Sequence, residues 1–413
     1  MIGPRGALAG FVTMAVACHP PPPADLAIRH VRVVSPDGIS EPVTLVIRDG
    51  RIAAHVPAGT TIRSREAIDV DGRYAVAGLI DLHQHAAGVV LPARLWLERG
   101  ITTIRDPGGV VERRAGDPGS AAAADGRGGV DARRGDDAGP TLRVVTGPTI
   151  DLEPGQTADS VRETVRREAA SGSGVVKLYS RVPIDHARAA IDEAHRHGLR
   201  VTWHLSLPLS DAIDAGVDGV EHLYVFRELL PPFVEPDPAS TGEAFLSIHR
   251  RWAAHLDPHA PAARRLFARL AASGMVWTPT LTLGHRIASG HSEWTGRWAP
   301  VERREALAGF EAACRMVGAA HALGVTIGAG TDTEQPGDLH EELTRLAACG
   351  LGHSGALAAA TTVAARALGE QALLGHLGPG AAADIVIVDG SPIDDVGHLA
   401  RPWLVVAGGV VVR

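Results

Sequence analysis

The sequence is poor in cysteine and in aromatic residues, and neither sign of charge is in large excess. Its 413 residues include three cysteines, Cys18, Cys314 and Cys349, which predict neither a disulfide framework nor a metal site with sulfur ligands. The 40 basic and 47 acidic residues leave a formal net charge of −7. A chain with this balance lacks the basic surface that nucleic acids bind, so we expect no nucleic-acid partner.

Glycine, proline and apolar residues are abundant. The chain is 45% hydrophobic and contains 48 glycines and 28 prolines. A chain of this length can bury a large core and exceeds the usual size of a single core, so one large domain with a smaller one is expected. The many glycines and prolines suit a fold with numerous short connections between strands and helices.

The first 24 residues differ in composition from the rest. Arg5 precedes a small apolar run at residues 7–17, which ends in Ala15-Val16-Ala17-Cys18 and is followed by His19 and four prolines. This resembles a bacterial lipoprotein signal, which implies export, cleavage before Cys18, acylation of that cysteine and a proline-rich spacer. That pattern prefers Leu where this chain has Ala15, so a leader without a targeting role on a cytoplasmic enzyme is the alternative. No other apolar run is long enough to span a bilayer.

Both ends of the remaining chain read as strands. Residues 26–34 and 43–52 near the beginning, and 383–390 and 403–412 near the end, are rich in β-branched residues and bounded by turn residues. Neither end has enough strands to be stable alone. We therefore expect the two termini to form one composite β-sandwich domain.

Between these ends the pattern alternates between strand and helix. Eight strands are predicted, one carrying Ile80 and the others at residues 101–106, 142–146, 175–179, 200–204, 219–222, 275–281 and 325–332. Eight such units over roughly 300 residues predict an α/β fold with a (β/α)8 TIM-type barrel, whose active site lies at the carboxyl ends of the strands. The predicted parts are a leader and spacer (1–24), the first part of the β-sandwich (25–76), the barrel (77–376) and the second part of the β-sandwich (377–413).

Residue types that bind metals follow the predicted strands. His83 and His85 are two residues apart after the first strand, so both imidazoles can reach one ion. An isolated pair of this kind could equally be surface histidines. Four further residues stand at or near the carboxyl ends of later strands: Lys177, His204, His222 and Asp332. The convergence of all six predicts a metal centre.

The sequence with these residues resembles the amidohydrolase superfamily, in particular its imidazolonepropionase-like and Xaa-Pro-dipeptidase-like branch. The resemblance extends over nearly the whole chain after the leader. The motifs that carry it are residues 77–85, 100–106, 176–179, His204, Glu221-His222, 279–281, 330–333, 360–369 and 379–384. They are specific for the superfamily and much less so for the substrate.

The resemblance implies a role for each candidate residue. Lys177 would be carboxylated by CO2 and bridge two divalent ions, most plausibly zinc. One ion would be held by His83, His85 and Asp332, and the other by His204 and His222. A hydroxide between the ions would be the nucleophile, with Asp332 as the general base and acid. If Lys177 stayed unmodified, the site would resemble that of the mononuclear deaminases.

The expected activity is metal-dependent hydrolysis of an amide-type C–N bond in a small peptide, an N-acyl amino acid or a cyclic amide. Deamination with one ion, or cleavage of lactones, esters or phosphotriesters, are the alternatives on the same scaffold, and an inactive metal-binding lipoprotein is a further one. Tyr179 and Tyr224 each lie two residues beyond a candidate ligand and could donate a hydrogen bond to substrate or simply close the barrel rim. Ser206 stands where dipeptidase relatives often have a tyrosine.

Three long segments are expected at the mouth of the barrel. Residues 113–140 read as a surface loop, whereas residues 231–261 and 284–300 are candidates for substrate contacts. The histidines of these loops are expected at the surface, and Arg105 and Asp106 are expected to form a structural pair. Association into a homo-oligomer is left open.

Overall fold

The computed structural model describes residues 23–36, 38–85, 92–108, 130–131, 140, 142–151, 155–179, 182–205, 207–230 and 241–412. The strands are β1 (Ala24–Ser35), β2 (Gly38–Ile39), β3 (Val43–Arg48), β4 (Arg51–Pro57), β5 (Ser64–Asp69), β6 (Tyr74–Ala77), β7 (Leu79–Asp81), β8 (Ile101–Pro107), β9 (Val130–Asp131), β10 (Arg143–Gly147), β11 (Thr149–Ile150), β12 (Val175–Leu178), β13 (Arg200–Trp203), β14 (Gly219–Glu221), β15 (Val276–Thr278), β16 (Thr326–Ile327), β17 (Ile385–Val388), β18 (Leu404–Ala407) and β19 (Val410–Val411).

The α-helices are α1 (Arg94–Leu97), α2 (Ala158–Ala170), α3 (Ile184–Arg196), α4 (Leu209–Ala215), α5 (Gly242–His255), α6 (Pro261–Ser273), α7 (Leu281–Ala288), α8 (Pro300–Ala322), α9 (Asp338–Leu346), α10 (Gly352–Ala359) and α11 (Thr362–Ala367). Two 3-10 helices lie at Leu223–Leu229 and Val396–Ala400, and a π-helical turn lies at Ala347–Leu351.

A parallel barrel forms the larger part of the fold. Its strands follow one another in the order β7-β8-β10 and β11-β12-β13-β14-β15-β16. Strands β10 and β11 are one strand interrupted at Pro148, whose carbonyl accepts a hydrogen bond of 2.9 Å from the Lys177 amide on β12. The circle closes where Gln84, after β7, pairs in parallel with Thr333, after β16. The predicted (β/α)8 barrel is therefore confirmed, and its carboxyl ends meet around one mouth.

Both ends of the chain build the second part of the fold. Strands run in the order β19-β18-β17-β6-β1-β3-β4, so the three C-terminal strands continue directly into the N-terminal strands of one sheet. Ile385 on β17 lies opposite Ala77 on β6 in an antiparallel pair. Buried side chains from both ends share a separate core that includes Leu26, Ile28, Leu45, Ile47, Ile385 and Ile387. The composite domain is confirmed, while the domain boundaries at residues 24, 76 and 376 stay predictions.

Two of the three cysteines are bonded to each other, which corrects the expectation that they form no disulfide framework. Cys314 on α8 and Cys349 in the π-helical turn form a disulfide with their Cα atoms 5.0 Å apart. Close packing of the two helical segments brings the cysteines together, and Gly318 permits it, since a Cβ there would lie 2.2 Å from the Cys349 carbonyl oxygen. Cys314 and Cys349 are 35 positions apart in sequence, so no local sequence pattern predicted this disulfide.

The long segments at the mouth differ from the prediction. Helix α5 lies within residues 231–261, and its first turn is capped by Thr241, whose side chain accepts a hydrogen bond from the Ala244 amide. Helix α7 overlaps residues 284–300, so neither segment is a simple loop. Of residues 113–140 only the short strand β9 and residue 140 belong to the part of the chain that is described.

Residues 1–22 of the predicted leader and spacer, including Cys18, also lie outside the described residues, whereas Ala24 already belongs to β1. Within the described part of the chain, none of the helices combines the length and apolarity that a membrane crossing demands.

Candidate metal centre

The six predicted ligands lie together at the carboxyl end of the barrel. His83 and His85 follow β7, and Lys177 lies on β12, three residues into that strand. The other three come after later strands: His204 after β13, His222 after β14 and Asp332 after β16. Their proximity agrees with the barrel geometry, and their role as ligands stays a prediction.

Asp332 is the centre of this group. Its Oδ1 atom lies 2.8 Å from His85 Nε2 and 3.3 Å from His83 Nε2, and its Oδ2 atom lies 3.4 Å from His222 Nδ1. Ligand atoms of His83, His222 and Asp332 all lie within 4.8 Å of one another. Two imidazoles and a carboxylate at this spacing can share one divalent ion.

The buried histidines are held in the form that binds metals. Burial, followed by the Lys177 charge, lowers the pKa of His83. Burial lowers the pKa of His222 to about 3, and burial together with the His222 charge lowers the pKa of His204 well below its ordinary value. A neutral imidazole offers a lone pair to a metal. The donor set of this site therefore fits a divalent ion.

His204 carries an additional sign of a missing ligand. Its ring centre lies 4.6 Å from that of His222, and its buried Nδ1 atom has no hydrogen-bond partner among the described residues. Buried polar atoms are nearly always paired, so an unpaired ring nitrogen beside other candidate ligands requires an explanation. Binding of an ion by the His204 ring would supply one.

Lys177 is buried among these groups. Its Nζ atom lies 3.1 Å from His83 Nε2, and burial lowers the pKa of its amine. Burial by itself would raise the pKa of Asp332, but its interactions with His83 and His222, the hydrogen bond with His85 and the nearby Lys177 outweigh burial and hold that pKa well below its ordinary value. The site thus combines a lysine that loses its proton more readily with a carboxylate that stays ionised.

The position of Asp332 differs in detail from the prediction. The eighth strand ends at Ile327, so Asp332 lies five residues beyond it rather than at its end. Its amide donates a hydrogen bond of 2.7 Å to the His83 carbonyl. Gly330 permits this approach, since a Cβ there would lie 2.9 Å from the His83 nitrogen. The close approach at Gly330 therefore positions the Asp332 carboxylate, whereas the prediction had placed it at the end of a longer eighth strand.

Backbone strain is concentrated at this rim. The residues His222, Thr280 and Asp332 have φ values of 65°, 51° and 55°, in the left-handed region that non-glycine residues rarely adopt. Each such residue costs of order 1–3 kcal/mol, and such residues cluster at functional sites. Thr280 Oγ1 also lies 3.0 Å from His222 Nδ1, so a side-chain hydrogen bond links two of these strained residues.

A buried carboxylate orients His83 from behind. Glu221 Oε2 lies 2.8 Å from His83 Nδ1, and Glu221 Oε1 accepts hydrogen bonds from Arg105 Nη2 at 2.6 Å and from the Thr202 hydroxyl. Burial alone would raise the pKa of Glu221, but the Arg105 and His83 charges outweigh it and hold that pKa below its ordinary value. An ionised carboxylate only accepts, so His83 carries its proton on Nδ1 and directs the Nε2 lone pair to the site.

These contacts correct one prediction. Arg105 donates to Glu221 and to the Leu82 carbonyl, so its partners are not the expected Asp106. From the sequence, Glu221 was only one residue of a motif and had no predicted role. The available signal was a carboxylate directly before a candidate ligand, in a strand whose residues are otherwise apolar.

A second buried carboxylate joins the first and last strands. Asp81 accepts hydrogen bonds from the His83 amide at 3.0 Å, from Gln84 Nε2 at 2.9 Å and from the Thr331 hydroxyl at 2.8 Å. Burial raises its pKa to about 6 despite these donors. Because Thr331 precedes Asp332, this network fixes the distance between His83, after the first barrel strand, and Asp332, after the last one.

The tentative substrate residues divide into three cases. Tyr179 and Tyr224 both face the centre, with ring centres 4.6 and 4.9 Å from that of His204. Ser206 lies outside the described residues. His291 is exposed, His285 is half-buried and His249 is buried, so the expectation that the loop histidines lie at the surface is wrong for His249.

Comparison with known proteins places the chain in a family. The family model described as "Amidohydrolase family" matches residues 136–412, more than half of the chain. The chain belongs to the amidohydrolase family. This amidohydrolase is 32% identical over 222 residues to an uncharacterized protein of Mycobacterium tuberculosis strain H37Rv, covering 48% of the chain and 56% of that protein. It thus spans about half the length of the curated relatives it matches.

Solved structures share the fold of this amidohydrolase over nearly its whole length. A Xaa-Pro dipeptidase with bound methionine in the active site matches with a TM-score of 0.67 and 17% identity, over 94% of this chain and 99% of that one. A bottromycin amidohydrolase matches with a TM-score of 0.69 and 21% identity, over 93% and 86% of the two chains. At these identities the likeness shows a shared fold.

Proposed function

We propose that this chain is a metal-dependent hydrolase that cleaves an amide-type C–N bond in a small substrate. The observation that carries the proposal is the group of neutral histidines around the ionised Asp332, at the barrel mouth of an amidohydrolase. The names of its fold relatives include a dipeptidase and another amidohydrolase. We extend that reaction class to this chain, with a small peptide, an N-acyl amino acid or a cyclic amide as substrate.

Two divalent ions, most plausibly zinc, complete the proposed site. His83, His85 and Asp332 would hold one ion, and His204 and His222 would hold the other. When bound, such ions provide a nucleophile from water near neutral pH and polarise the substrate carbonyl. The ring nitrogen of His204, unpaired within the described part of the chain, supports a second ion, with the His222 ring 4.6 Å away as the neighbouring ligand.

Lys177 would join the two sets of ligands as a carbamate. The neutral amine nitrogen bonds to the carbon of CO2 and releases one proton, which leaves a negative charge on two oxygens. Burial of Lys177, which lowers its amine pKa, supports this step because only the neutral amine reacts. An unmodified amine has a single lone pair and could bind only one ion.

Proton transfer falls to Asp332 in this proposal. Its carboxylate is ionised and reaches the barrel mouth with 15% of its side-chain surface exposed. It would accept a proton from the attacking water and donate it to the leaving amine. Tyr179 and Tyr224, which flank His204, are candidates to donate hydrogen bonds to the substrate carbonyl as its oxygen gains charge.

Metal analysis and an amide library test the proposal together. Protein purified with zinc and bicarbonate should contain about two ions per chain and hydrolyse at least one of a panel of dipeptides, N-acyl amino acids and lactams. A firm ratio near one with unmodified Lys177 would instead favour a mononuclear aminohydrolase. Turnover of lactones, esters or phosphotriesters alone would move the activity away from C–N bonds, and full metal content without any turnover would favour a metal-binding lipoprotein.

We also propose that the protein is exported and anchored through Cys18. The disulfide between Cys314 and Cys349 supports export, because disulfides persist in oxidising compartments and are rare in the cytosol. The lipoprotein-like leader supplies the second, independent reason.

A further inference from the structure

A buried arginine beside the candidate metal centre has no acidic partner among the residues that the structure describes. Arg227 lies in the 3-10 helix Leu223–Leu229, and only 8% of its surface is exposed. Its Nε and Nη1 atoms are buried and form no hydrogen bond. A buried charge is normally paired, because the cost of removing it from water is several kcal/mol.

The contrast with Arg105 shows how unusual this is within the fold. Arg105 is equally buried, and its guanidinium is bonded to the Glu221 carboxylate at 2.6 Å. Glu228, next to Arg227 in sequence, points elsewhere and accepts a hydrogen bond from the Ser210 amide. Burial lowers the pKa of Arg227, as expected for a cation without a counter-charge.

Arg227 is separated from the candidate metal centre by one aromatic ring. Its Cζ atom lies 4.1 Å from the centre of the Tyr224 ring, and that ring lies 4.9 Å from His204 and 5.5 Å from His222. A guanidinium over a ring face keeps its N–H groups directed outward in its own plane, where they match the two oxygens of a carboxylate. Arg227 and the candidate ligands His204 and His222 thus share one aromatic neighbour, Tyr224.

We infer that Arg227, stacked on Tyr224, binds a carboxylate group of the substrate. This inference rests on the proposed amide hydrolysis and narrows its substrate class to anionic amides, such as N-acyl amino acids and peptides with a free carboxylate. The substrate carboxylate supplies the counter-charge that the described part of the chain does not provide. Arg227 is then a specificity residue, and neutral amides of the same shape are poor substrates.

Matched substrate pairs test the inference on the metal-loaded enzyme. The probes are N-acetyl L-amino acids and the corresponding N-acetyl amino alcohols, which carry the same amide but no carboxylate. The wild-type kcat/KM should favour the acids by at least about tenfold, the size expected of charge-assisted hydrogen bonds. Arg227→Met should abolish this preference by raising KM for the acids while leaving the alcohols within about twofold, and Arg227→Lys, which keeps the charge, should restore part of it.

Arg269→Met is the matched control, because Arg269 pairs with Asp214 at the surface. This substitution should leave kcat/KM unchanged for both the acids and the alcohols. Equal loss of kcat/KM for acids and alcohols in Arg227→Met would show a structural role and overturn the inference. A wild-type enzyme that cleaves acids and alcohols equally well would also overturn it, and that measurement needs no variant to fold.

Calorimetric titration of the same acids separates this inference from the proposed reaction. If the wild-type protein cleaves neither series but binds the acids at least about tenfold more tightly than the alcohols, and Arg227→Met loses that difference, the carboxylate site stands while the hydrolysis proposal fails. Binding of the acids that is unchanged in Arg227→Met refutes the site whatever the activity.

Discussion

Replacing Glu221 with glutamine should weaken metal binding without touching a candidate ligand. Glu221 accepts hydrogen bonds on both oxygens, from His83 on one side and from Arg105 and Thr202 on the other. Glutamine keeps the shape but replaces one acceptor oxygen with an NH2 group that only donates. No orientation of this amide satisfies all three neighbours while His83 keeps its proton on Nδ1, since Arg105 also only donates.

Each orientation has its own cost. If the amide NH2 faces His83, the Nδ1 atom must accept, and the imidazole proton moves to Nε2, where it blocks the lone pair directed to the site. If the NH2 faces Arg105, the guanidinium faces another donor. In either orientation it loses its counter-charge, and breaking a buried pair in this way costs about 3–5 kcal/mol of stability. Loss of a group that orients a metal-binding histidine typically lowers metal affinity about 10- to 100-fold.

The assay is zinc titration against a competing chelator, paired with urea unfolding of the metal-depleted protein. We expect Glu221→Gln to lose about 10- to 100-fold in zinc affinity and several kcal/mol of stability. Glu342→Gln is the matched control, because Glu342 is also buried but accepts hydrogen bonds from the Leu281 and Thr282 amides rather than from a candidate ligand. It should leave zinc affinity unchanged.

A double variant separates the two costs. Arg105→Met combined with Glu221→Met removes both charges, so stability should recover relative to Glu221→Gln while zinc affinity stays low. A folded Glu221→Gln protein with wild-type zinc affinity would refute the reasoning, because His83 would then not depend on Glu221 for the proton on Nδ1.

Three further predictions concern Asp332, Glu342 and Cys18. Asp332→Asn should fold and keep most of its metal but lose at least about 100-fold in kcat; near-wild-type kcat at full metal content would leave Asp332 as a ligand only. Burial raises the pKa of Glu342 to about 7 from an ordinary 4.5, so its contribution to stability is complete below pH 4.5 and is lost as the pH rises through 7. At about 1.36 kcal/mol per pKa unit this amounts to about 3 kcal/mol. Urea unfolding across this range should show a larger decline in the wild type than in Glu342→Gln, which keeps the contribution of Asp81, whose pKa is also raised by burial. Cys18→Ser should release the protein from membranes or block its processing, whereas an intact leader on cytosolic protein, detected by mass spectrometry, would contradict the anchor.

The barrel and the candidate ligands could be predicted because their signals are local. His83 and His85 stand two residues apart after an apolar strand, and His204 and His222 each follow a short buried strand directly. Strand periodicity places such residues at the carboxyl ends of a parallel barrel, whatever the rest of the chain does. The composite domain followed from the same local logic, since each terminus had too few strands to stand alone.

The partners of these residues could not be predicted, because pairing is decided in three dimensions. Arg105 has a neighbouring carboxylate at Asp106 in sequence, yet adjacent residues on a strand point to opposite faces, and its partner Glu221 lies 116 positions away. The Cys314–Cys349 bond depends on close helix packing at Gly318. The isolation of Arg227 is likewise invisible in a sequence that places Glu228 beside it.

The contacts around the mouth hold several groups in unfavourable arrangements. Three rim residues have left-handed backbone conformations, each costing of order 1–3 kcal/mol. Within the described part of the chain, His204 and Arg227 both have buried nitrogen atoms without hydrogen-bond partners. Hydrogen bonds to Glu221 and Asp81 fix His83 and Thr331, which precedes Asp332, in place. An ion at the histidines and a carboxylate at Arg227 would each remove a different part of this cost. Because an ion or anion that binds only the folded state adds its binding free energy to stability, the metal and the anionic substrate should each stabilise the fold, and should do so through separate residues.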